Sequence, residues 1–351
     1  MKKSDYDEHA REINTSLKIK GWCPMCTAIT YTTQDHYFGR NLDLQFSYDE
    51  TVTISPRNYV FNFRKMGALA NHYAIIGMAY VADDYPLYYD ATNEKGLSIA
   101  GLNFPEYADY KTYAIGKDNI TPFELIPWIL GQCATVREAE VLLKRINLLK
   151  ENFSEKLTLS PLHWIIADKE RSITFESVKE GIKIYDNPVG VLTNNPTFEL
   201  QIFNLNNYMH LSKDQPQNTF AGSNANLKLD LYSNGMGGLG LPGDTSSMSR
   251  FVKATFVKLN SVSGNSEAES VSQFFHILKS VEMQNGIVHM GKDLYEKTIY
   301  SSCCNVDKGI YYYTTYENSQ VCAVDMHKVD LDGKNLVSYP LNKALAVEYQ
   351  N

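Results

Sequence analysis

Short segments with a two-residue hydrophobic period dominate the first hundred residues: Thr27 to Thr33, Thr51 to Ser55, Tyr59 to Phe63, Tyr73 to Val81 and Leu97 to Leu102. Rich in β-branched and aromatic residues, they predict strands. Pro56-Arg57-Asn58, Asp83-Asp84-Tyr85-Pro86 and Asn93-Glu94-Lys95-Gly96 punctuate them as turns. The pattern then changes. Thr121-Pro122 opens a helical stretch through Trp128, and Thr135-Val136-Arg137-Glu138 is a capping box before a helix over Ala139 to Leu149. A second β block covers Leu162 to Ala167, Ser172 to Ser177 and Gly181 to Tyr185, followed by an irregular Gly- and Asn-rich excursion from Asn218 to Gly243. Helices return at Ser246 to Leu259 and Ser266 to Val281, the latter opened by the capping box Ser266 to Glu269. Lys297 to Cys303, Gly309 to Tyr316 and Val321 to His327 close the chain as strands. This order predicts an α+β protein of two stacked antiparallel sheets with helices outside, not a parallel βαβ array.

Composition narrows the function. A chain of 351 residues, 44% hydrophobic and 21% charged, can bury a large core. A net charge of −7 without basic clusters argues against nucleic acid or an anionic membrane as partner and points to small substrates. No window approaches 18 uninterrupted apolar residues, and the first 24 residues are polar, with no apolar h-region of a secretory signal. Six irregularly spaced cysteines fit a reducing cytoplasm better than a disulfide framework. The 24 tyrosines and 15 phenylalanines mostly alternate in strand-like runs, so sheet packing is their first role. Metal binding has little support: Cys303-Cys304 lacks a spacer, and no histidine falls in a metal-ligand motif.

The chemistry centres on Met25-Cys26. A methionine followed by a small residue is readily removed, so a chain started at Met25 would present Cys26 with a thiol and a free α-amine. The two titrate near ~8.5 and ~8, which allows the amine to serve as the base for the thiol. Begun at Met1, the chain would hold the nitrogen of Cys26 in an amide. Residues 1–25 are therefore expected to be an extension or removed leader. Lys20-Gly21-Trp22 requires purine-rich codons suited to a ribosome-binding site upstream of Met25, which favours a start there. Trp22-Cys23-Pro24-Met25-Cys26 also has the form of a thioredoxin-like dithiol, but such a motif starts a helix, whereas a strand-like run follows Cys26. That rival predicts that Cys23→Ser abolishes function; an N-terminal nucleophile predicts no effect.

Six blocks then occur in order: Met-Cys-Thr-Ala-Ile-Thr-Tyr (25–31), Phe-Gly-Arg-Asn-Leu-Asp (38–43), Pro-Arg-Asn-Tyr (56–59), Asn-Glu-Lys-Gly-Leu-Ser-Ile-Ala-Gly-Leu-Asn-Phe-Pro (93–105), Val-Leu-Thr-Asn-Asn-Pro-Thr-Phe (191–198) and Gly-Leu-Pro-Gly-Asp-Thr-Ser-Ser-Met-Ser-Arg-Phe (240–251). With them the chain resembles the choloylglycine hydrolase family, the N-terminal-nucleophile group of bile salt hydrolases and penicillin V acylases. The resemblance implies a four-layer αββα fold and one catalytic domain over 26–351. It implies a homotetramer, with the excursion from Leu205 to Leu231 as the assembly loop, and no cofactor or metal.

Site roles follow from the same resemblance. Cys26 matches the nucleophile, Arg40 and Asp43 the charged pair beside it, and Arg250 the second active-site arginine. Asn194 matches the side-chain donor of the oxyanion hole and Asn103 its backbone donor. Leu42, Phe46 and Ala68 fall where the family lines its steroid pocket. Asparagine at 103 favours bile salts over penicillin V. The implied reaction is hydrolysis of glycine- or taurine-conjugated bile salts through a thioester, with a penicillin V acylase or related N-acyl amidase as the alternative and a noncatalytic bile-acid-binding protein as a third option. Taken singly, Arg40 and Asp43 would read as a surface ion pair, Asn103 and Asn194 as turn formers, and Arg250 as a polar-face helix residue.

Overall fold

The computed structural model describes residues 25–220 and 227–351. Cys23 and the rest of the proposed leader before Met25 lie outside the described residues, as do residues 221–226 of the excursion. The first block contains β1 (Cys26–Thr32), β2 (His36–Leu44), β3 (Thr51–Ser55), β4 (Phe61–Phe63), β5 (Gly67–Leu69), β6 (Ile75–Ala82), β7 (Tyr85–Asn93) and β8 (Ser98–Asn103). After β9 (Asp118–Ile120) come helices α1 (Leu125–Leu130) and α2 (Val136–Leu143), then β10 (Ile146–Leu148), β11 (Leu162–Ala167), β12 (Ser172–Val178), β13 (Gly181–Asp186) and β14 (Val191–Leu192). Helices α3 (Phe198–Asn204), α4 (Ser247–Asn260) and α5 (Glu267–Lys279) precede β15 (Val288–His289), β16 (Tyr295–Asn305), β17 (Ile310–Thr315), β18 (Cys322–Asp325) and β19 (Val337–Pro340).

Two antiparallel sheets form the centre. One is ordered β14-β1-β2-β16-β17-β18, with β15 added to β16; the other is ordered β13-β12-β11-β8-β7-β6-β3-β19. Side-chain alternation divides the second sheet between two cores. Ile76, Ala100 and Ile165 face the first sheet in a cluster with Ala28, Leu42 and Tyr300. Their strand neighbours Ile75, Ile99, Trp164 and Ile166 pack instead with Leu125 and Ile129 of α1 and Ala139 of α2. On the far side of the first sheet, Phe251 of α4 and Phe274 and Leu278 of α5 are buried. The layers are therefore helix, sheet, sheet, helix, the αββα arrangement expected.

Several boundaries differ from the sequence reading. Tyr85 and Pro86, read as a turn, open strand β7. Proline fits there because β7 pairs with β8 only from Asp90 to Thr92, so no β8 carbonyl waits for the missing N–H of Pro86. The helix expected over Ala139 to Leu149 ends at Leu143, and Ile146–Leu148 instead pairs in parallel with β9. Strand β2 was not recognised as a strand, although all nine of its residues are buried.

Candidate active site

Cys26 begins β1 and lies opposite Leu42 of β2. Position 26 is thus the start of a buried strand rather than of a helix, which the dithiol reading required. Arg40 and Asp43 are three residues apart on β2 and so leave opposite faces of it. Arg40 crosses the gap between the sheets, donating from Nη1 to the carbonyls of Tyr89 (3.1 Å) and Gly101 (2.5 Å). Asp43 accepts a 2.6 Å bond from Thr298 Oγ1, and its backbone N–H donates to Met25 O at 3.0 Å. Cys26, at the strand end, feels both charges.

Asn194 follows β14 and stands at the junction of these groups. Its Oδ1 accepts from Cys26 N (2.9 Å) and Arg250 Nη2 (2.7 Å), while its Nδ2 donates to Asn103 O (2.8 Å). Its backbone N–H is fixed on Ser247 Oγ at 2.9 Å. Arg250, in the first turn of α4, also donates to Cys26 O (2.5 Å), Thr27 Oγ1 (2.8 Å) and Thr245 O (2.9 Å). Asn103 ends β8. Because Phe104 N–H bonds Pro161 O on the β11 side, antiparallel alternation turns the N–H and C=O of Asn103 away from β11, towards Asn194.

These side chains are almost sealed: Cys26, Arg40 and Arg250 are each 1% exposed and Asp43 is fully buried. Asn103, at the rim, is half-buried. Burial raises the pKa of the Cys26 thiol, and Asp43 and Glu296 add to the rise; Arg40 and the Asp43 backbone N–H oppose them without prevailing. With Cys26 in amide linkage, the arginine alone does not yield a thiolate. Burial likewise lifts Asp43 to about 6 against the pull of Arg250, Thr298 and Arg40. A base close to the sulfur is what the arrangement still needs.

Sequence reasoning missed Glu296 and Thr298 of β16. Glu296 is buried, accepts a hydrogen bond from Met25 N through Oε1, and is raised to about 8 by burial and by Asp43. Neither residue had a local signal, because only the pairing of β16 with β2 brings them to the site. Of the pocket residues, Leu42 is buried opposite Cys26. Phe46 is half-buried beyond β2, its ring 5.0 Å from that of Tyr48. Ala68 is exposed on the β4–β5 hairpin, whose Phe63 and Leu69 pack into the outer core, and none of the contacts around Cys26 involves it. Two surface clefts of about 560 and 410 Å³ lie elsewhere, lined by Arg57, His72 and Glu94 and by His36, Arg171 and Lys258 respectively.

Comparison with known proteins gives the family of the chain. The profile of the linear amide C–N hydrolases, choloylglycine hydrolase family, matches residues 26–339. The chain is 62% identical over 317 residues to a bile salt hydrolase/transferase of Lactiplantibacillus plantarum, covering 90% of this chain and 97% of that one. It is 38% identical over 332 residues to the bile salt hydrolase/transferase of Clostridium perfringens, covering 93% and 100%. A crystal structure of a variant of the C. perfringens conjugated bile acid hydrolase superposes with a TM-score of 0.85 at 37% identity, again covering 93% and 100%. Penicillin V acylase from Agrobacterium tumefaciens shares the fold, with a TM-score of 0.69 at 19% identity over 89% of this chain and 90% of that one.

Proposed function

The chain belongs to the choloylglycine hydrolase family of linear amide C–N hydrolases, and from that premise we propose that it cleaves the amide bond of glycine- or taurine-conjugated bile salts with Cys26 as an N-terminal nucleophile. The α-amine of Cys26 takes the thiol proton, and the sulfur attacks the substrate carbonyl. The oxyanion that forms receives hydrogen bonds from Asn194 Nδ2 and Asn103 N–H, dipoles already fixed by the surrounding bonds. Collapse returns the proton to the departing glycine or taurine nitrogen and leaves a thioester. Water, deprotonated by the same amine, then releases the free bile acid and restores the thiol.

The observation that supports this reading most is the triple attachment of Asn194, which joins the Cys26 nitrogen, Arg250 and the end of β8 through one side chain. Arg40 offsets the burial cost of the thiolate, and Asp43 orients the amine. Because the protein is acidic, affinity for an anionic sterol rests on apolar contact and local arginines rather than on long-range attraction. A homotetramer fits the run of exposed Leu200, Phe203, Met209, Phe220, Leu231 and Tyr232, in and around the excursion, as a surface that a second copy would cover. No helix among the described residues is long and apolar enough to cross a membrane; cytoplasmic residence is part of the proposal.

Purified protein incubated with glycocholate and taurocholate should liberate glycine and taurine, and Cys26→Ala should liberate neither. Faster cleavage of a phenoxyacetyl amide than of both conjugates would assign the chain to the acylase branch instead. Binding of conjugates without release of amino acid would refute catalysis.

A further inference from the structure

His163 of β11 takes no part in the proposed chemistry, yet it is fully buried, and one ring face and both ring nitrogens have partners. The imidazole lies flat on Phe104, with centroids 4.1 Å apart and ring planes 5° from parallel. Nε2 donates to Thr193 O at 2.8 Å, and Nδ1 is hydrogen-bonded to Glu176 Oε1 at 3.1 Å. The same Glu176 oxygen accepts the Phe198 N–H at 2.9 Å, at the start of α3.

The partners of this ring flank both oxyanion donors. Phe104 is the residue after Asn103, and Thr193 is the residue before Asn194. Two further bonds join the same segments, Asn194 Nδ2 to Asn103 O (2.8 Å) and Asn195 Nδ2 to Pro105 O (2.9 Å). Thr193 Oγ1 and Asn194 N–H also donate to Ser247, and Gln201 Nε2 of α3 donates to the carbonyls of Asn194 and Asn195, but none of these four bonds reaches the end of β8, which the His163 ring touches through Phe104. We propose that His163 is a positioning residue for the oxyanion hole: its ring sets the spacing between the end of β8 and the Thr193–Asn194 segment, and Glu176 locks the ring to helix α3. This inference rests on the mechanism proposed above.

The test separates alignment of the oxyanion from formation of the thiolate. His163→Phe keeps a flat ring against Phe104 and loses both hydrogen bonds. His163→Gln keeps a donor for Thr193 O and loses the stack. For each, kcat and KM on taurocholate are measured alongside the rate at which iodoacetamide alkylates Cys26, followed by mass spectrometry. Alkylation needs a thiolate but no oxyanion hole. A displacement of about 1 Å at a reacting centre costs up to roughly a hundredfold. The expected result for His163→Phe is a kcat lower by about 10- to 100-fold, with KM and the alkylation rate within about threefold of the parent. His163→Gln, which loses the stack, should also lower kcat by more than about threefold at an unchanged alkylation rate, though less than His163→Phe, and it decides the question alone if the phenylalanine variant does not fold. A kcat within threefold of the parent, or an alkylation rate that falls in step with kcat, would overturn the inference. A parent protein that releases no taurine would instead overturn the functional reading beneath it.

Discussion

Glu296 offers a quantitative test of the site's electrostatics. With Met25 in place, its carboxyl is held at about 8, against an ordinary glutamate value of 4.5, by burial first and then by Asp43. One pH unit corresponds to about 1.36 kcal/mol, so that interval is worth at most about 5 kcal/mol. Asp43 titrates beside it, and we take about 2–4 kcal/mol as the working figure. A raised native pKa means that this stability is fully present below about 4.5 and is lost as pH rises towards about 8, since the unfolded chain gives up the proton first. Glu296→Gln keeps an oxygen for the Met25 N–H and removes the titration. Both proteins should be compared in a Cys26→Ala background expressed from Met1, with intact mass confirming that residue 26 remains in amide linkage. Urea unfolding at fixed protein concentration from pH 5 to 8.5 should show the parent losing stability relative to the glutamine variant by that amount. Parallel profiles across the range would refute the assignment of a buried, neutral carboxyl.

Three other changes probe the frame around Cys26. Asn194→Ala removes one oxyanion donor and should lower kcat by about 10²- to 10³-fold with little change in KM; a loss under tenfold in steady-state hydrolysis would contradict the role. Arg250→Met leaves Cys26 O, Thr27 Oγ1 and Asn194 Oδ1 without their guanidinium donor, and at about 1–3 kcal/mol for each buried acceptor left unsatisfied should cost at least about 3 kcal/mol in denaturant unfolding while abolishing turnover. Gly39→Ala would place a Cβ 2.0 Å from Ser302 O in the middle of the β1-β2-β16 pairing, so little folded protein is expected; a soluble variant with parental Tm would show that the strands can part there.

Local pattern made much of this molecule legible, and the exceptions have identifiable causes. Thr51 to Ser55 and Leu162 to Ala167 were read to the residue because Thr51 to Ile54 and Trp164 to Ile166 are β-branched or aromatic throughout. Strand β2 was hidden by Arg40, Asn41 and Asp43, polar residues that normally mark a surface but here are buried in the core. The two-turn helix α3 and the edge strand β19 were too short for a periodic signal. At the site, Cys26, Arg40, Asp43, Asn194 and Arg250 were singled out from motifs, and the structure brings them together. Ala68 lies in none of those motifs and was assigned to the pocket only through the family resemblance; it sits on an exposed hairpin. Glu296, Thr298 and His163 carry no motif. Only long-range pairing of β16 with β2 and of β11 with β8 gives them their neighbours.

The account depends most on what precedes Cys26. Intact-mass and N-terminal analysis of purified protein with full bile salt hydrolase activity addresses this directly. The predicted species begins at Cys26 with an unblocked amine; full activity in a chain that still carries Met25 or any residue before it would contradict the mechanism, because the thiol would then have no α-amine to take its proton.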